Sequence, residues 1–418
     1  MYSWLSDLFP FNRSLTGEGV EETLTYLQGI IPSLVIHKVA TGTDAYDWKI
    51  PYEWNVATAY IEDSSGRRFA SYEENNLHLV GYSIPVNKLL TKEELLPHLH
   101  YLEKQPNAIP YITSYYEENW GFCLRYDEFL QLGTGPFQVV IESELKAGHM
   151  TYGEVYIPGF TEKEILFSTY ICHPSMASNE LSGPVVATAL ACWVQENRLK
   201  HSVRILFLPE TIGSIYYISR HLKDLKKNLR AGWVLTCLGD NQALSFLPSK
   251  AGNLYVDSVS RRVLNRREEK FREFDWVERG SDERQYCSPG IDLPVASVMR
   301  SKYGEYPEYH TSLDNLDFVS AEGLQTSFEI YQQLITATDQ SKFPKIKVLG
   351  EPQLSRRGLY PATSDLGTFA RVVDRLSVIS FMDGNLDVEQ IASLCKMPLD
   401  VAEEILSELD AVNLIDWV

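Results

Sequence analysis

The stretch STYICHPSMASNELSG, residues 168–183, decides the fold and carries the first candidate functional residues. An apolar run leads to His173, which stands on a loop broken by proline. Glu180 follows seven residues later, and a Ser-Gly pair then opens a helix. A strand that ends on a histidine, followed by a carboxylate at the start of a helix, is a common way to present metal ligands in α/β proteins. A hydrogen-bonded structural histidine has the same local pattern, so the interpretation depends on the other strand ends.

Outward from this stretch, apolar segments alternate with helical ones between residues 135 and 339. The predicted strands lie at 137–141, 165–172, 203–208, 233–238 and 294–298. The predicted helices lie at 184–197, 213–225, 253–267 and 321–338. Alternation of this kind predicts a mostly parallel sheet with helices on both faces.

Two further segments have a different texture. Residues 46–125 are rich in aromatic side chains and short alternating runs, which predicts a small β-rich domain inserted into the core. Residues 342–418 contain two short amphipathic helices, with capping boxes predicted at Asp387 and Asp400, which predicts a winged helix-turn-helix domain. The α/β core is therefore expected to comprise residues 1–45 and 126–341.

Composition excludes several classes of function. The formal net charge of −18 argues against nucleic acid and anionic membranes as partners, because both require clustered positive charge. The 6 cysteines form no close pair, which makes a disulfide framework or a zinc finger improbable. No apolar segment is long enough to span a membrane, and the N-terminus does not resemble a signal peptide. A cytoplasmic protein, with the added domains favouring a homo-oligomer, is the expectation.

The ends of the predicted strands carry most of the ionisable candidates. Glu210 follows the strand at 203–208, Asp240 follows the next strand, and His310 and Asp314 follow the strand at 294–298. Asp282 stands in a polar loop just before that last strand. Any one of these residues could cap a helix. Their convergence at the carboxyl edge of one parallel sheet favours a functional site.

Two histidines and a carboxylate can hold a zinc ion with one coordination position open. Water at such an ion becomes acidic enough to attack a carbonyl near neutral pH. Glu210 could then act as the general base that passes the proton to a leaving amine. Asp314 could orient a ligand histidine through its second ring nitrogen.

Six ordered segments resemble a known group of proteins. They resemble bacterial aminopeptidase-like proteins associated with polysaccharide and natural-product biosynthesis, which are related to the zinc leucyl aminopeptidase and glutamate carboxypeptidase clan. The segments are FPFNRSLTGEGVEETL (9–24), DWKIPYEWNV (47–56), CHPSMASNELSGP (172–184), FLPETIGS (207–214), GSDERQYCSPGIDLP (280–294) and KYGEYPEYHTSLDN (302–315). The resemblance covers nearly the whole chain. It implies a zinc-exopeptidase-like core, an inserted β domain and a C-terminal winged helix.

The resemblance also implies roles for single residues. His173 and His310 match the metal-binding histidines of the clan, and Glu210 matches its general base. The implied reaction is hydrolysis of a peptide or amide bond in a small substrate, in keeping with a biosynthetic intermediate. Arg13 and Tyr309 are the candidate substrate-binding residues, although Arg13 could equally clamp the N-terminal helix to the core.

The metal-binding carboxylates of the clan are only partly present. The bridging aspartate falls on Asn179, and two further carboxylates fall on Thr211 and Thr236. A carboxamide lacks the charge that offsets the repulsion between two cations. The sequence therefore predicts one zinc ion, held by the two histidines and Glu180. The residues kept in reserve as ligands or supporting groups are Asn179, Asp240, Asp282 and Asp314.

Three alternatives remain open at this point. A pseudo-peptidase would keep the pocket for binding a small molecule or a partner protein, without turnover. A winged-helix regulator is disfavoured, because the helix at 400–409 carries acidic groups and no basic one. A cysteine nucleophile, Cys172 with His310 as its base, is disfavoured. Neighbouring strand residues point to opposite faces, so Cys172 would not share a site with His173. In the inserted domain, Trp48, Trp54 and Trp120 could stack on a substrate or simply fill the core.

Overall fold

The principal sheet is mixed and has a parallel centre. The computed structural model describes residues 1–360 and 366–418. Within those residues the sheet has eight strands, from one edge to the other Val35–Ala40, His149–Ile157, His201–Leu208, Thr161–Tyr170, Leu229–Leu235, Val295–Met299, Ser245–Leu247 and Arg272–Glu273. The four central strands, from His201–Leu208 to Val295–Met299, are mutually parallel. Their carboxyl ends therefore lie at one edge of the sheet.

The central strands are buried on both faces. In Thr161–Tyr170, Ile165 and Phe167 pack into one apolar cluster, whereas Leu166 and Tyr170 pack into the other. Side chains alternate between the faces of a strand, so a strand covered on both sides reads as a continuous apolar run. This is why the run before His173 is largely apolar, with Ser168 and Thr169 as its polar members.

Helices cover both faces, which confirms the expected architecture. One face packs against helices Glu18–Ile30, Ser182–Glu196, Tyr255–Asn265 and Ala321–Gln340. The opposite face packs against Ile212–Asn228 and the small sheet described next. Among the described residues, no helix combines the length and the apolar character needed to cross a membrane.

A four-stranded antiparallel sheet lies against the core. Its strands, in spatial order, are Arg68–Phe69, Glu53–Asp63, Phe137–Lys146 and Val86–Leu90. The prediction that the segment 137–141 belongs to the principal sheet is wrong. Val139 and Ile141 pack with Ala59 and Ile61 of the neighbouring strand, and an apolar run alone does not specify which sheet it joins.

Shorter elements complete this region and the loops beside it. Short strand pairs form between Asp44–Ala45 and Trp48–Lys49, and between Leu99–His100 and Phe122–Cys123. The remaining short helices and helical turns are Tyr2–Leu8, Asn76–His78, Lys92–Leu95, Leu96–His98, Tyr126–Phe129, Ala177–Leu181, Trp276–Glu278, Glu283–Tyr286 and Ser355–Arg357.

The C-terminal segment forms a separate helical unit with a two-stranded ribbon. Its helices are Leu366–Ser380, Val388–Leu394 and Leu399–Ala411, and its ribbon pairs Pro344–Ile346 with Ile415–Trp417. The capping box predicted at Asp387 is present, because Asp387 accepts from the Gln390 N–H at 2.8 Å and Gln390 returns a bond. The box predicted at Asp400 is wrong. Pro398 occupies the cap position there, and no side chain caps that helix.

We expect Gly183→Ala to destabilise the fold. A methyl group at Gly183 would meet the Leu235 carbonyl oxygen and the Thr169 hydroxyl, each at 2.3 Å. The helix Ser182–Glu196 would have to move away from the sheet, at a cost of about 1–3 kcal/mol or more. Thermal or denaturant unfolding of the purified variant measures this loss.

Gly29→Ala is the matched control, because nothing lies within 4 Å of the added methyl. Gly29 stands in the helix Glu18–Ile30, where alanine is intrinsically favoured by about 0.5–1 kcal/mol. Equal stability of the two variants would show that the helix is not seated as closely as described.

Candidate active site

Three predicted residues meet at the carboxyl edge of the parallel strands. His173 and Glu210 follow neighbouring strands, and the His173 Nε2 atom lies 3.6 Å from the Glu210 Oε2 atom. The ring of His310, on the loop after Val295–Met299, lies 5.5 Å from the His173 ring between centroids. All three side chains line one cavity of about 490 Å³. Three of the residues predicted at strand ends therefore share one cavity.

A buried carboxylate fixes the orientation of His173. The Nδ1 atom of His173 lies 2.8 Å from Glu180 Oε2, and the second oxygen of Glu180 lies 3.5 Å from Arg13 Nε. Burial alone would lower the pKa of His173, but the hydrogen bond to Glu180 and the charges of Glu180 and Glu210 raise it. Because Nδ1 is occupied, Nε2 is the nitrogen that remains available toward Glu210 and the cavity.

Glu180 and Arg13 lie behind His173 and outside the lining of the cavity. Glu180 was predicted as a metal ligand, yet it is wholly buried behind His173, between that ring and Arg13. Arg13, one of the two predicted substrate-binding residues, is also wholly buried and does not line the cavity. It donates to the carbonyl oxygens of Leu8 (2.7 Å) and His173 (3.1 Å). Arg13 thus clamps the N-terminal segment to the core, the second of its two predicted roles.

His310 and Tyr309 form the opposite wall of the cavity. The Tyr309 ring stacks on the His310 ring with 3.9 Å between centroids, and both line the cavity. His310 has a backbone φ of +54°, and its carbonyl oxygen accepts the Tyr111 N–H at 2.9 Å. Burial, followed by the charge of His173, lowers the pKa of His310 to about 3. The neutral imidazole that results is the form that binds a metal ion.

A strained turn aims Glu210 into the cavity. Thr211 has φ +66° and ψ −72°, and the Ile212 N–H donates to the Glu210 carbonyl oxygen at 2.8 Å, which closes a γ-turn. A β-branched residue in this conformation stores about 1–3 kcal/mol of strain. Asp282 accepts the Thr211 N–H at 2.8 Å, and Arg284 donates to the Thr211 hydroxyl at 2.7 Å. The local sequence does not predict this turn, because the residues that stabilise it, Asp282 and Arg284, lie about seventy positions later in the chain.

The surroundings of Glu210 favour a proton near neutral pH. Burial raises its pKa to about 7; the charge of His173 opposes this shift, and that of Asp282 adds to it. The Arg284 guanidinium also lowers this pKa. The side chain keeps 20% of its surface exposed, on the cavity side. Glu210 is the one carboxylate that lines the cavity among the residues the structure describes.

None of the four reserve residues lines the cavity. Asp314 accepts the N–H groups of Ser178 (2.6 Å) and Asn179 (2.9 Å), so it caps the helical turn Ala177–Leu181 rather than orienting His310. The Asn179 amide donates to the Tyr170 hydroxyl at 2.9 Å. Asp240 accepts from the backbone and hydroxyl of Ser301. Asp282 supports the turn at Thr211, as described above.

Cys172 is a buried thiol at the back of the site. Its Sγ atom lies 3.5 Å from His173 Nδ1 and accepts the Glu210 N–H at 3.1 Å. Burial raises the pKa of Cys172 well above its usual value, which keeps the thiol protonated and disfavours a nucleophilic role. Cys172, His173 and Glu180 together offer donor atoms within 4.8 Å of one another. A metal ion there would have to displace the His173–Glu180 hydrogen bond and share Glu180 with Arg13.

Two sequence families match adjacent parts of the chain. Residues 2–341 match a family described as a domain of unknown function, DUF4910. Residues 342–417 match a winged helix-turn-helix family. A Clostridium acetobutylicum protein, named as a polysaccharide biosynthesis protein with an aminopeptidase-like domain, is 43% identical over 361 residues, which are 86% of this chain and 82% of that protein.

Solved structures show the same relationship. A crystal structure of a Clostridium acetobutylicum protein assigned as a peptidase has a TM-score of 0.82 at 39% identity, covering 100% of this chain and 96% of that one. A zinc aminopeptidase from Bacillus subtilis has a TM-score of 0.58 at 14% identity, covering 81% and 96%. An M28 peptidase precursor from Shewanella amazonensis has a TM-score of 0.56 at 12% identity, covering 84% and 94%.

The two distant structures are similar in fold alone, whereas the closer relatives extend across both domains. The aminopeptidase-like core and the C-terminal winged helix expected from the sequence are thereby confirmed. The chain belongs to the DUF4910 family, and its Clostridium acetobutylicum relative is named for an aminopeptidase-like domain.

Proposed function

We propose that this protein is a metal-dependent hydrolase that cleaves a peptide or amide bond with a single zinc ion. The observation that carries the proposal is the meeting of His173, His310 and Glu210 in one cavity. The aminopeptidase-like fold and the name of the polysaccharide biosynthesis relative support a hydrolytic reaction on a biosynthetic intermediate.

The cavity offers two nitrogen donors to one zinc ion, one fewer than the usual three protein ligands of a catalytic zinc. His173 through Nε2 and His310 as a neutral imidazole would hold it, and both face the same space. Glu180 would act through His173, since a carboxylate on the second ring nitrogen fixes the tautomer and increases the basicity of the ligand. When bound, the zinc ion would polarise the substrate carbonyl and increase the acidity of water.

Glu210 would move the proton. Its ionised carboxylate would accept a proton from the attacking water and deliver it to the departing amine. A pKa near 7 suits both halves of that task, because the group must first accept and then release the proton. The γ-turn at Thr211 holds the carboxylate at the cavity, and the Glu180 contact holds His173 opposite to it.

A binding protein without turnover is the second candidate. In the zinc exopeptidase clan that the sequence resembles, metal-binding carboxylates stand at the positions of Asn179 and Thr236. Here both side chains are neutral, and this observation favours the second candidate. Asn179 donates to the Tyr170 hydroxyl, and Thr236 donates to the Asn179 carbonyl oxygen at 2.7 Å. This network carries no formal charge, so it provides no second set of anionic ligands.

Glu210→Gln separates the two candidates. We expect turnover of an aminoacyl anilide or related amide to fall by about 10²–10⁴-fold, because the proton acceptor is lost. Zinc content should be unchanged, because Glu210 is not a proposed ligand. Steady-state kinetics and elemental emission on the same preparation measure both quantities. Unchanged turnover would contradict the mechanism, and loss of zinc would make Glu210 a ligand.

Glu180→Gln tests the orienting role. We expect zinc affinity to fall by about 10–100-fold, because the amide is a poorer partner for His173 Nδ1. Competition with a chelating dye measures the affinity. Asp257→Asn is the control, because Asp257 is equally buried but is bonded to Ser249, away from the cavity. Unchanged affinity in Glu180→Gln would contradict the role, and a loss as complete as in His173→Ala would make Glu180 a ligand.

The pH dependence of the rate tests the assignment of Glu210. Glu210 must be ionised to accept a proton, so the rate should fall as pH falls through the pKa of Glu210. Asp282→Asn removes a negative charge that raises this pKa, and the acid limb should therefore move to lower pH. The midpoint of the acid limb of kcat/KM is the measurement. Asp240→Asn, a buried carboxylate bonded to Ser301, should leave the midpoint in place. A shift to higher pH in Asp282→Asn would contradict the assignment.

A further inference from the structure

The mouth of the cavity carries two exposed aromatic rings that are held in place. Trp48, from the short strand Trp48–Lys49, is 41% exposed, and Tyr116 is 50% exposed. Their rings lie 5.9 Å apart at 62°, and the Tyr116 hydroxyl donates to the Lys49 carbonyl oxygen at 3.1 Å. That bond ties two separate segments into one rim. Large apolar rings fixed at the edge of a cavity offer a stacking surface whose ordering cost is already met.

The wall behind the rim is aromatic and rich in hydroxyl groups. Its aliphatic members, Leu15 and Ile212, are 4% and 1% exposed and present little surface. The hydroxyls of Tyr111 and Tyr115 lie 3.1 Å apart, and Thr113 stands beside them in the lining. A purely hydrocarbon group would remove these hydroxyls from water without replacing their hydrogen bonds. A sugar ring offers a C–H face for stacking and hydroxyl groups for the polar wall.

Arg284 adds a positive charge to the same cavity. The side chain is exposed, and its described hydrogen bond is to the Thr211 hydroxyl at 2.7 Å. No acidic side chain in residues 1–360 or 366–418 forms an ion pair with it at 4.0 Å or less. A guanidinium has five N–H donors in a planar fork that matches a carboxylate, so most of its donor capacity is available to a ligand.

We propose that the cavity recognises an amide whose distal part is a sugar ring bearing a carboxylate. The ring stacks on Trp48 and Tyr116, the carboxylate pairs with Arg284, and the amide points toward Glu210. The position of the amide rests on the proposed function. The recognition of the acidic sugar rests on the rim, the hydroxyl wall and Arg284 alone.

Ligand-observed NMR titration of the full chain tests this recognition with three probes, methyl glucuronide, methyl glucoside and hydrocinnamate. Methyl glucuronide should bind about tenfold more tightly than methyl glucoside, through the added ion pair. Trp48→Ala should weaken the binding of both sugars about fivefold or more, through lost stacking. Arg284→Gln should reduce methyl glucuronide to the affinity of methyl glucoside and leave methyl glucoside unchanged.

Two matched variants control for surface effects. Trp417→Ala removes a tryptophan of equal exposure, 42%, from the C-terminal ribbon. Arg198→Gln removes an exposed arginine that does not line the cavity. Both should bind the sugars as the unmodified chain does.

The outcomes separate this inference from the proposed function. Methyl glucuronide binding by an unmodified chain that shows no amide turnover would remove the hydrolase and leave the sugar site. Hydrocinnamate binding as tightly as methyl glucuronide would overturn the inference, because the hydroxyl wall would then have no role. Unchanged affinity in Trp48→Ala would overturn it as well.

Discussion

A buried carboxylate, Glu180, joins the N-terminal segment of the chain to the histidine at the end of a central strand. Glu180 and Arg13 have no exposed surface, and their nearest atoms lie 3.5 Å apart. Removing either partner would leave a charge uncompensated in the interior, which costs about 3–5 kcal/mol. The other oxygen of Glu180 holds His173 Nδ1, so the same pair stabilises the fold and directs Nε2 into the cavity. The contact with Glu180 fixes the orientation of the His173 ring, and the geometry of the rest of the site depends on that orientation.

The distribution of charge around His173 favours the proposed single metal ion over a pair of ions. Behind the cavity, Asn179, Tyr170 and Thr236 form a neutral hydrogen-bonded network. Within the described lining of the cavity, Glu210 is the single carboxylate. Two divalent cations at close distance need several anionic ligands between and around them, and those anions are lacking here. The fold of a zinc aminopeptidase is thus retained with fewer charged donors.

The sequence predicted those parts of the site that depend on strand ends. His173, Glu210 and His310 follow parallel strands, and parallel strands bring such residues together whatever the loops do. The placement of Glu180 behind His173 could not be derived in this way, because ligand and supporting carboxylates have the same local pattern. The strained turn at Thr211 also escaped prediction.

The approach of the inserted region to the cavity could not be predicted from the sequence, for a related reason. Trp48 lines the cavity from a short strand pair and Tyr116 from a turn, and no local pattern encodes the approach of these segments to His173. Trp54, by contrast, is buried and donates to the Ser83 carbonyl oxygen, and Trp120 stacks on His98. The same residue type therefore fills the core at one position and lines the cavity at another. The segment 137–141, predicted for the principal sheet, pairs with strands of this region instead, and its apolar pattern would fit either sheet.

The stoichiometry of bound metal is the most direct test of a single zinc site that depends on His173. The full chain, equilibrated with excess zinc and passed through gel filtration, can be measured by elemental emission beside His173→Ala. We expect one zinc ion per unmodified chain and none in His173→Ala. Two ions per chain would contradict the single site, and no bound ion in the unmodified chain would contradict a metal-dependent function.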